Sequence, residues 1–372
     1  MTRTLGACAA IAALMSCSDP KGDDDDGSID ADTAGSVDAQ SGADAPVSID
    51  APGDTADAAS VIDYDCGIFT EDPGWTVMTG FRAVVVADAT DGLNQPVAIS
   101  LAQGAFGGLA YVVNGGDGQL MAVDTLTGTT TPFVAAAAWP VTPSLLTTSV
   151  WDSTGEFDGN LYIGDQGGDG DADSRIYRVT STGATSLFTT APGAGLDDIY
   201  GMVFSPGGAY PGGMYVTGDT DGGGVDWGVF DAAGVGASFS ELAGGEGIAV
   251  DRMGAYGGGL FASRPAGGGY SGDDTISRVL SDGLNGTPVA TAIPGIHAVT
   301  FARPGAFSGT MAAASWQTGR LIAIAPDGTV TDMATGLSLT NYDGNILQFS
   351  PDGNVLFVAD RLANRLVCIE PL

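Results

Sequence analysis

The chain has 372 residues, with 45 Asp and Glu against 12 Lys and Arg, which gives a formal net charge of −33. So acidic a surface repels nucleic-acid phosphates and anionic lipid and attracts divalent cations, so the composition excludes a DNA- or RNA-binding protein. The length is sufficient for a large domain with a substantial buried core.

The first seventeen residues, MTRTLGACAAIAALMSC, have the pattern of a secretory signal peptide. Arg3 precedes an apolar run that is too short to stay in a bilayer as a spanning helix. The run ends in Leu-Met-Ser-Cys, which resembles a bacterial lipobox, and this resemblance implies that Cys17 carries a lipid and begins the mature chain. An ordinary signal peptide with an incidental cysteine is the alternative. Ser18 in place of Asp favours the outer membrane, on its periplasmic or cell-surface side.

Residues 18–65 are predicted to be a disordered tether. They contain 14 Asp and one Lys, with no aromatic residue before Tyr64. Such a segment buries too little apolar area to offset its ordering entropy, and its charges extend it. We interpret the run Asp23 to Asp26 as a solvated spacer rather than a metal site. In composition the segment is similar to the tethers of myxobacterial lipoproteins.

A five-residue motif then recurs along the chain. Its copies are GAFGG at 104, GEFDG at 155, GAYPG at 208, GAYGG at 254 and GAFSG at 305, and a degenerate copy places Gly353 in register. The intervals of 51, 53, 46, 51 and 48 residues indicate a repeat architecture. The invariant glycines predict positive φ or close backbone approach, and the aromatic third residue predicts one shared packing position.

Short apolar runs flank each motif and predict four β-strands per repeat, without amphipathic helices. Four strands per repeat, six times, indicate an all-β fold, a six-bladed β-propeller over 66–372, whereas a β-solenoid would need shorter rungs. The last repeat supplies only three strands. We therefore expect the N-terminal strand 81–88 to lie beside 365–370 and complete the last blade.

The four cysteines divide by position. Cys8 would be lost with the signal peptide and Cys17 would carry lipid, which leaves Cys66 and Cys368 near the two ends of the ring. In an oxidising compartment we expect these two to form a disulfide that locks the closure; two free thiols are the alternative.

A channel mouth is the first candidate site, because propellers bind ligands where their innermost strands begin. Alignment of the repeats brings four polar side chains to equivalent positions there, and they are the candidate catalytic residues: Tyr200, Glu246, His297 and Asn345. Thr147 and Gln95 are less certain members from the first two blades. The alternative is an ordinary wet channel lining. With a single His in the chain, a zinc site of the multi-His kind is not expected.

The loops between the second and third strands are the second candidate site. They are long and acidic in blades two to four. The blade-two loop carries the predicted calcium ligands Asp165, Asp169, Asp171 and Asp173, of which the last three have the alternating spacing that directs several hard oxygens at one cation. Ser174 and Thr180 replace the Gly and Glu of an EF-hand. Bare solvated acids are the alternative reading.

The phrases GGMYVTGDTDG, EGIAVDRMG and LQFSPDGNVLFVADRLANRL resemble NHL-repeat and gluconolactonase-like six-bladed propellers over about residues 81–372. This resemblance implies a lactonase-type site in which a Ca²⁺ at the channel mouth polarises a lactone carbonyl. Glu246 and Asn345 are of suitable type to hold it. Three aspartates could lie near: Asp197, Asp198 and Asp343.

Two functions therefore compete. The first is a non-catalytic, lipid-anchored binding module, a monomer whose partner is a protein, carbohydrate or small molecule and whose only membrane contact is its lipid. The second is a calcium-dependent lactonase-like hydrolase. The long tether and the acidic loops favour binding. No Ser or Cys pairs with His297 by spacing, so nucleophilic catalysis has no support from the sequence.

Overall fold

The structure is a computed structural model that describes residues 64–67, 69–167, 174–190, 196–219, 225–240, 245, 247–264, 273–340 and 344–372. The chain divides into two units, Met1–Val47 and Ser48–Leu372, and every described residue belongs to the second. The expectations for the signal peptide, for Cys17 and for the tether before Tyr64 lie outside the described residues. Tyr64 itself is buried, with its ring edge-on to Phe357 at 6.3 Å.

Six antiparallel sheets form the blades, and within each the strands run in order from the inside outwards. Blade one contains Pro96–Ala102, Leu109–Asn114, Gln119–Val123 and Thr130–Val134. Blade two contains Leu146–Trp151, Leu161–Asp165, Arg175–Val179 and Thr185–Thr190. Blade three contains Ile199–Phe204, Met214–Asp219, Val225–Phe230 and Gly236–Ser240. Blade four contains Ile248–Asp251, Gly259–Arg264, Asp273–Val279 and Asn285–Pro294. Blade five contains Met311–Ser315, Arg320–Ile324 and Val330–Thr335 outside its inner strand Ile296–Phe301.

Blade six joins the two ends of the described chain. Its inner strands are Leu347–Phe349, Leu356–Asp360 and Arg365–Pro371, and its outermost strand is Phe81–Ala87. The inner strands of neighbouring blades contact each other all the way round, including those of blades six and one. The prediction of a six-bladed β-propeller closed by an N-terminal strand is therefore confirmed. Within the described part, the only helical elements are four 3-10 turns: Ala89–Asp91, Gly104–Phe106, Ala136–Ala138 and Arg361–Ala363.

The closure has two components that the sequence predicted and one that it did not. Val84 pairs with Cys368 across the outer strands of blade six. Cys66 and Cys368 form a disulfide with their Cα atoms 5.6 Å apart, which confirms the predicted pairing. The additional component is the strand Thr76–Val77, which pairs with the outer strand of blade five and makes that sheet five-stranded.

The repeated motif forms the turn between the inner and second strands on one face of the propeller, which we call the turn face. In blade two, Gly155 and Gly159 have φ of 78° and 64°, as the repeated glycines predicted. The carboxylate of Asp152 accepts hydrogen bonds from four backbone N–H groups of this turn at 2.8–3.0 Å. The Phe157 ring packs edge-on against Tyr162 at 5.8 Å, and the Tyr162 hydroxyl donates to the Phe157 carbonyl. The motif therefore combines a left-handed turn with an aromatic anchor.

A second set of glycines allows successive blades to approach each other closely, and the sequence reasoning missed it. Each lies in the turn between the third and fourth strands with positive φ, where a Cβ would fall within 3.0 Å of a carbonyl oxygen in the outer strand of the preceding blade. The set comprises Gly128, Gly183, Gly234, Gly283 and Gly328. Because only glycine permits this approach, the signal was the regular recurrence of a glycine before each outer strand.

Candidate functional site

The face opposite the turn face carries the starts of the inner strands and the loops between second and third strands; we call it the loop face. The predicted channel-mouth residues lie at this end of their strands. Thr147 is buried, and its hydroxyl donates to the Ile199 carbonyl at 2.5 Å. Gln95 is exposed just before the inner strand of blade one. Glu246 lies outside the described residues.

Asn345 has a role that blade-by-blade alignment did not predict. Its side-chain amide donates to the Ser149 carbonyl in blade two at 2.9 Å, and its own carbonyl accepts from the Ile99 amide in blade one at 3.0 Å. A Cβ on the preceding Gly344 would overlap the Tyr200 carbonyl oxygen and lie 3.1 Å from that of Thr147. The segment 344–345, which leads into the inner strand of blade six, thus packs against blades one, two and three.

Tyr200 and His297 are almost entirely enclosed, each with 5% of its surface exposed. The His297 ring packs edge-on against Trp316 at 5.9 Å. The Tyr200 hydroxyl lies 3.4 Å from a carboxylate oxygen of Asp198, and the same oxygen accepts from the Gln166 side chain at 2.9 Å. The structure therefore joins Tyr200 to Asp198 and Gln166, while His297 contacts the aromatic ring of its own blade.

Asp165, the first predicted calcium ligand, is completely buried, and both its oxygens have partners within the protein. One accepts from the backbone amides of Ser144 and Leu145 at 3.0 Å, and the other accepts from the Tyr177 hydroxyl at 3.1 Å and lies 3.6 Å from Arg175. The carboxylate fixes the segment that leads into the inner strand of blade two. The other three predicted ligands, Asp169, Asp171 and Asp173, lie outside the described residues.

The same structural position is polar in other blades, where it has the same role. Asp360 ends the second strand of blade six, and one of its oxygens accepts from the Ser338 amide at 2.6 Å while the other accepts from Arg365 at 2.8 Å. Burial raises the pKa of Asp360 above its ordinary value of 3.8, although these hydrogen bonds and the charge of Arg365 act in the opposite direction. Asn114 accepts from the Asn94 amide in blade one. Polarity at this position is therefore a structural feature of the repeat.

In the ranges that the structure describes, no three His, Cys, Asp or Glu side chains come close enough together to hold a metal ion. No helix in those ranges has the length and apolarity that crossing a membrane requires.

The class of protein that this architecture defines is the six-bladed β-propeller. No protein-family model and no curated protein sequence matches the chain. Solved structures do match it. A gluconolactonase from Xanthomonas campestris superimposes with a TM-score of 0.57 at 14% identity, covering 80% of this chain and 91% of that one.

Two further solved structures have similar scores. The soluble aldose sugar dehydrogenase of Escherichia coli has a TM-score of 0.53 at 14% identity, covering 78% of this chain and all of that one. An auxiliary nutrient binding protein from Bacteroides thetaiotaomicron has a TM-score of 0.52 at 14% identity, covering 75% of this chain and 69% of that one. At these identities the likeness establishes a shared fold, which these proteins use for different activities.

Proposed function

We propose that the protein is a non-catalytic binding module that acts outside the cytoplasm, held to the outer membrane by a lipid on Cys17 and by the tether 18–65. The observation that carries the proposal is the packing of 344–345 against blades one, two and three. Since the Asn345 amide is bonded to the Ser149 carbonyl, it is engaged in holding the loop-face end of the channel together. We place the partner on the loop face, outside these contacts.

One structural neighbour with this fold is an auxiliary nutrient binding protein, which supports a binding role for this chain. The gluconolactonase neighbour represents the competing function. A lactonase-like site in this chain would need Asn345 and Glu246 to face a substrate and a Ca²⁺. The donation from Asn345 to Ser149 uses the amide nitrogen and leaves the side-chain oxygen, which is the atom with which an Asn holds Ca²⁺, so this bond alone does not decide between the two functions.

Lactone hydrolysis is the experiment that decides between the two. The full mature chain is assayed against a panel of sugar lactones, with added Ca²⁺ and with chelator, together with the variants Glu246→Gln and Asn345→Ala. We expect no turnover above the uncatalysed rate in any sample. Chelator-sensitive turnover that Glu246→Gln abolishes would overturn the proposal in favour of the lactonase.

Calcium binding by the blade-two loop is a second part of the proposal, and the bonds of Asp165 limit its ligands to Asp169, Asp171 and Asp173. The three carboxylates supply the hard oxygens that Ca²⁺ prefers. Calorimetric titration of the full chain with Ca²⁺ tests this against a variant with all three changed to Asn. A variant with Asp24, Asp25 and Asp26 changed to Asn removes the same charge and is the control. Loss of binding in both variants, or no binding by the unaltered chain, would contradict the assignment.

The anchor is tested separately by metabolic labelling with palmitate in a bacterial host. We expect label in the unaltered chain and none in Cys17→Ser. Equal labelling of the two would overturn the lipid assignment.

A further inference from the structure

The outer seams, where the outer strand of one blade meets the next blade, share a common contact. The pairing register of every outer strand skips one residue, which forms a β-bulge. The bulge residues are Val86, Phe133, Phe188, Phe239, Val289 and Met333. In the first five, the carbonyl oxygen is the one that a turn glycine of the next blade approaches, in the order Gly128, Gly183, Gly234, Gly283 and Gly328. Bulge and glycine therefore form a repeated joint between blades.

The seam between blades five and six lacks this joint. Among the described residues, no turn glycine approaches the carbonyl of the blade-five bulge residue, Met333. The reason lies in the assembly of blade six, whose third strand Arg365–Pro371 and outer strand Phe81–Ala87 come from distant parts of the sequence and are not joined by a local turn. The Met333 carbonyl instead accepts from the backbone amide of Met78 at 2.8 Å.

Blade six nevertheless has the hydrogen bond that closes such a turn, formed by two separate pieces of chain. The Leu372 amide donates to the Gly80 carbonyl at 2.9 Å, directly beyond the last residue pair of the third and outer strands. In blade three the corresponding bond runs from the Asp231 amide to the Val235 carbonyl at 3.1 Å, within one continuous turn. The chain before the strand Phe81–Ala87 therefore occupies the place of the turn that blade six does not have.

Two further contacts attach this part of the chain to both blades. The strand Thr76–Val77 pairs with the end of the outer strand of blade five. The Trp75 ring is buried, and the guanidinium carbon of Arg365 in blade six lies 5.6 Å from the ring centre. A Cβ on Gly336, just after the outer strand of blade five, would lie 3.4 Å from the same ring. Trp75 is therefore in contact with both sides of the seam.

The disulfide does not perform this role. It joins Cys66 to Cys368 in the third strand of blade six, and the Cys66 amide donates to Glu370 of that strand at 3.1 Å. Both bonds attach the N-terminal segment to blade six alone. The connection from blade six to the outer strand of blade five is made by the residues from Trp75 to Gly80.

We propose that residues 75–80 form a latch on the outer seam between blades five and six and take the place of the glycine turn that joins the other blades. A turn is continuous with the two strands that it connects, whereas the latch is a separate segment held by a few hydrogen bonds and one aromatic ring. The outer edge of this seam therefore opens locally when the latch undocks, while the other five seams stay closed. This device does not depend on the proposed function, since it involves neither the lipid nor the loop face.

Native-state hydrogen exchange of the full mature chain tests the latch. The Leu372 amide reports on the latch, and the Asp231 and Leu280 amides, which close continuous turns in blades three and four, are the reference. Met78→Pro and Met78→Ala both lose the methionine side chain, but only the proline also loses the amide that donates to Met333. We expect the Leu372 amide to exchange about threefold to tenfold faster in Met78→Pro than in Met78→Ala, with the two reference amides unchanged.

Two results in these variants would overturn the assignment. The first is equal exchange of the Leu372 amide in both, and the second is equal acceleration of all three amides in Met78→Pro, which would mean that the whole domain opens as one unit. If Met78→Pro fails to fold, the unaltered chain decides. Its Met78 amide should exchange at least tenfold more slowly than the same amide in an unstructured peptide, and exchange at the peptide rate would overturn the latch.

Discussion

Replacing Gly234 by alanine tests whether successive blades are held by close backbone approach. Gly234 has φ of 80°, and a Cβ there would lie 2.7 Å from the Phe188 carbonyl oxygen in the outer strand of blade two. Gly155 is a matched control, because its φ is 78° and nothing lies within 4 Å of its Cβ. Both substitutions impose the left-handed conformation on alanine, at about 1–2 kcal/mol. Only Gly234→Ala also forces two blades apart, which adds about 1–3 kcal/mol.

Equilibrium denaturation of the two variants and the unaltered chain gives the difference in free energy of unfolding directly. We expect Gly155→Ala to be destabilised by about 1–2 kcal/mol and Gly234→Ala by about 2–5 kcal/mol. Equal destabilisation of the two would refute the contact between blades as a source of stability, since backbone conformation alone would then account for both. A similar excess in Gly328→Ala, whose Cβ would approach the Val289 carbonyl, would extend the result to blades four and five.

Three further predictions follow from the packing. The double variant Cys66→Ala, Cys368→Ala removes a cross-link between residues 302 apart, so its free energy of unfolding should be lower by up to about 5–6 kcal/mol. An unchanged free energy of unfolding, measured without reductant, would contradict the stabilisation of the ring by this disulfide. Asp152→Ala removes the acceptor of four backbone amides, so the free energy of unfolding should fall by about 2–4 kcal/mol in the same measurement. A fall of less than about 0.5 kcal/mol would contradict this role of Asp152. The raised pKa of Asp360 makes stability fall as the pH rises above 3.8 towards the folded-state value, because the folded state then holds the proton more tightly. The variant Asp360→Asn lacks this titration, so the difference in free energy of unfolding between the unaltered chain and the variant should shrink as the pH rises through this range. A difference that stays constant with pH would contradict the assignment.

The recurrence of the motif was sufficient to predict the blade count and the closing strand, because each copy encodes the same local turn. The Gly159 amide donates to Asp152, and the Phe157 ring packs on Tyr162, all within a few residues of each other, and such patterns are legible in one sequence. Phe157 also packs against Phe204 of blade three, a contact that only the fold reveals. The strand Thr76–Val77 was missed because two residues carry no alternation of apolar and polar side chains.

The channel mouth was less predictable, since alignment of repeats treats the blades as equivalent. Asn345 occupies the expected position on its blade, yet its partner Ser149 is 196 residues away and on a different blade. Comparison of the repeats cannot reveal this bond, because it joins residues of two blades that the alignment does not pair. Asp165 was singled out for its neighbours in the sequence, whereas its partners include Ser144 and Tyr177, which the fold brings together.

The disulfide also determines which parts of the protein carry a mechanical force applied to its N-terminal segment. A pull on the chain before Cys66 passes through the sulfur–sulfur bond to Cys368, within Arg365–Pro371, a strand paired on both sides. The segment 67–87, which supplies the outer strand of blade six and the fifth strand of blade five, lies off that line of tension. A force applied to the N-terminal segment would therefore act on the disulfide bond and on an interior strand. The peripheral strands that close the ring would not carry it.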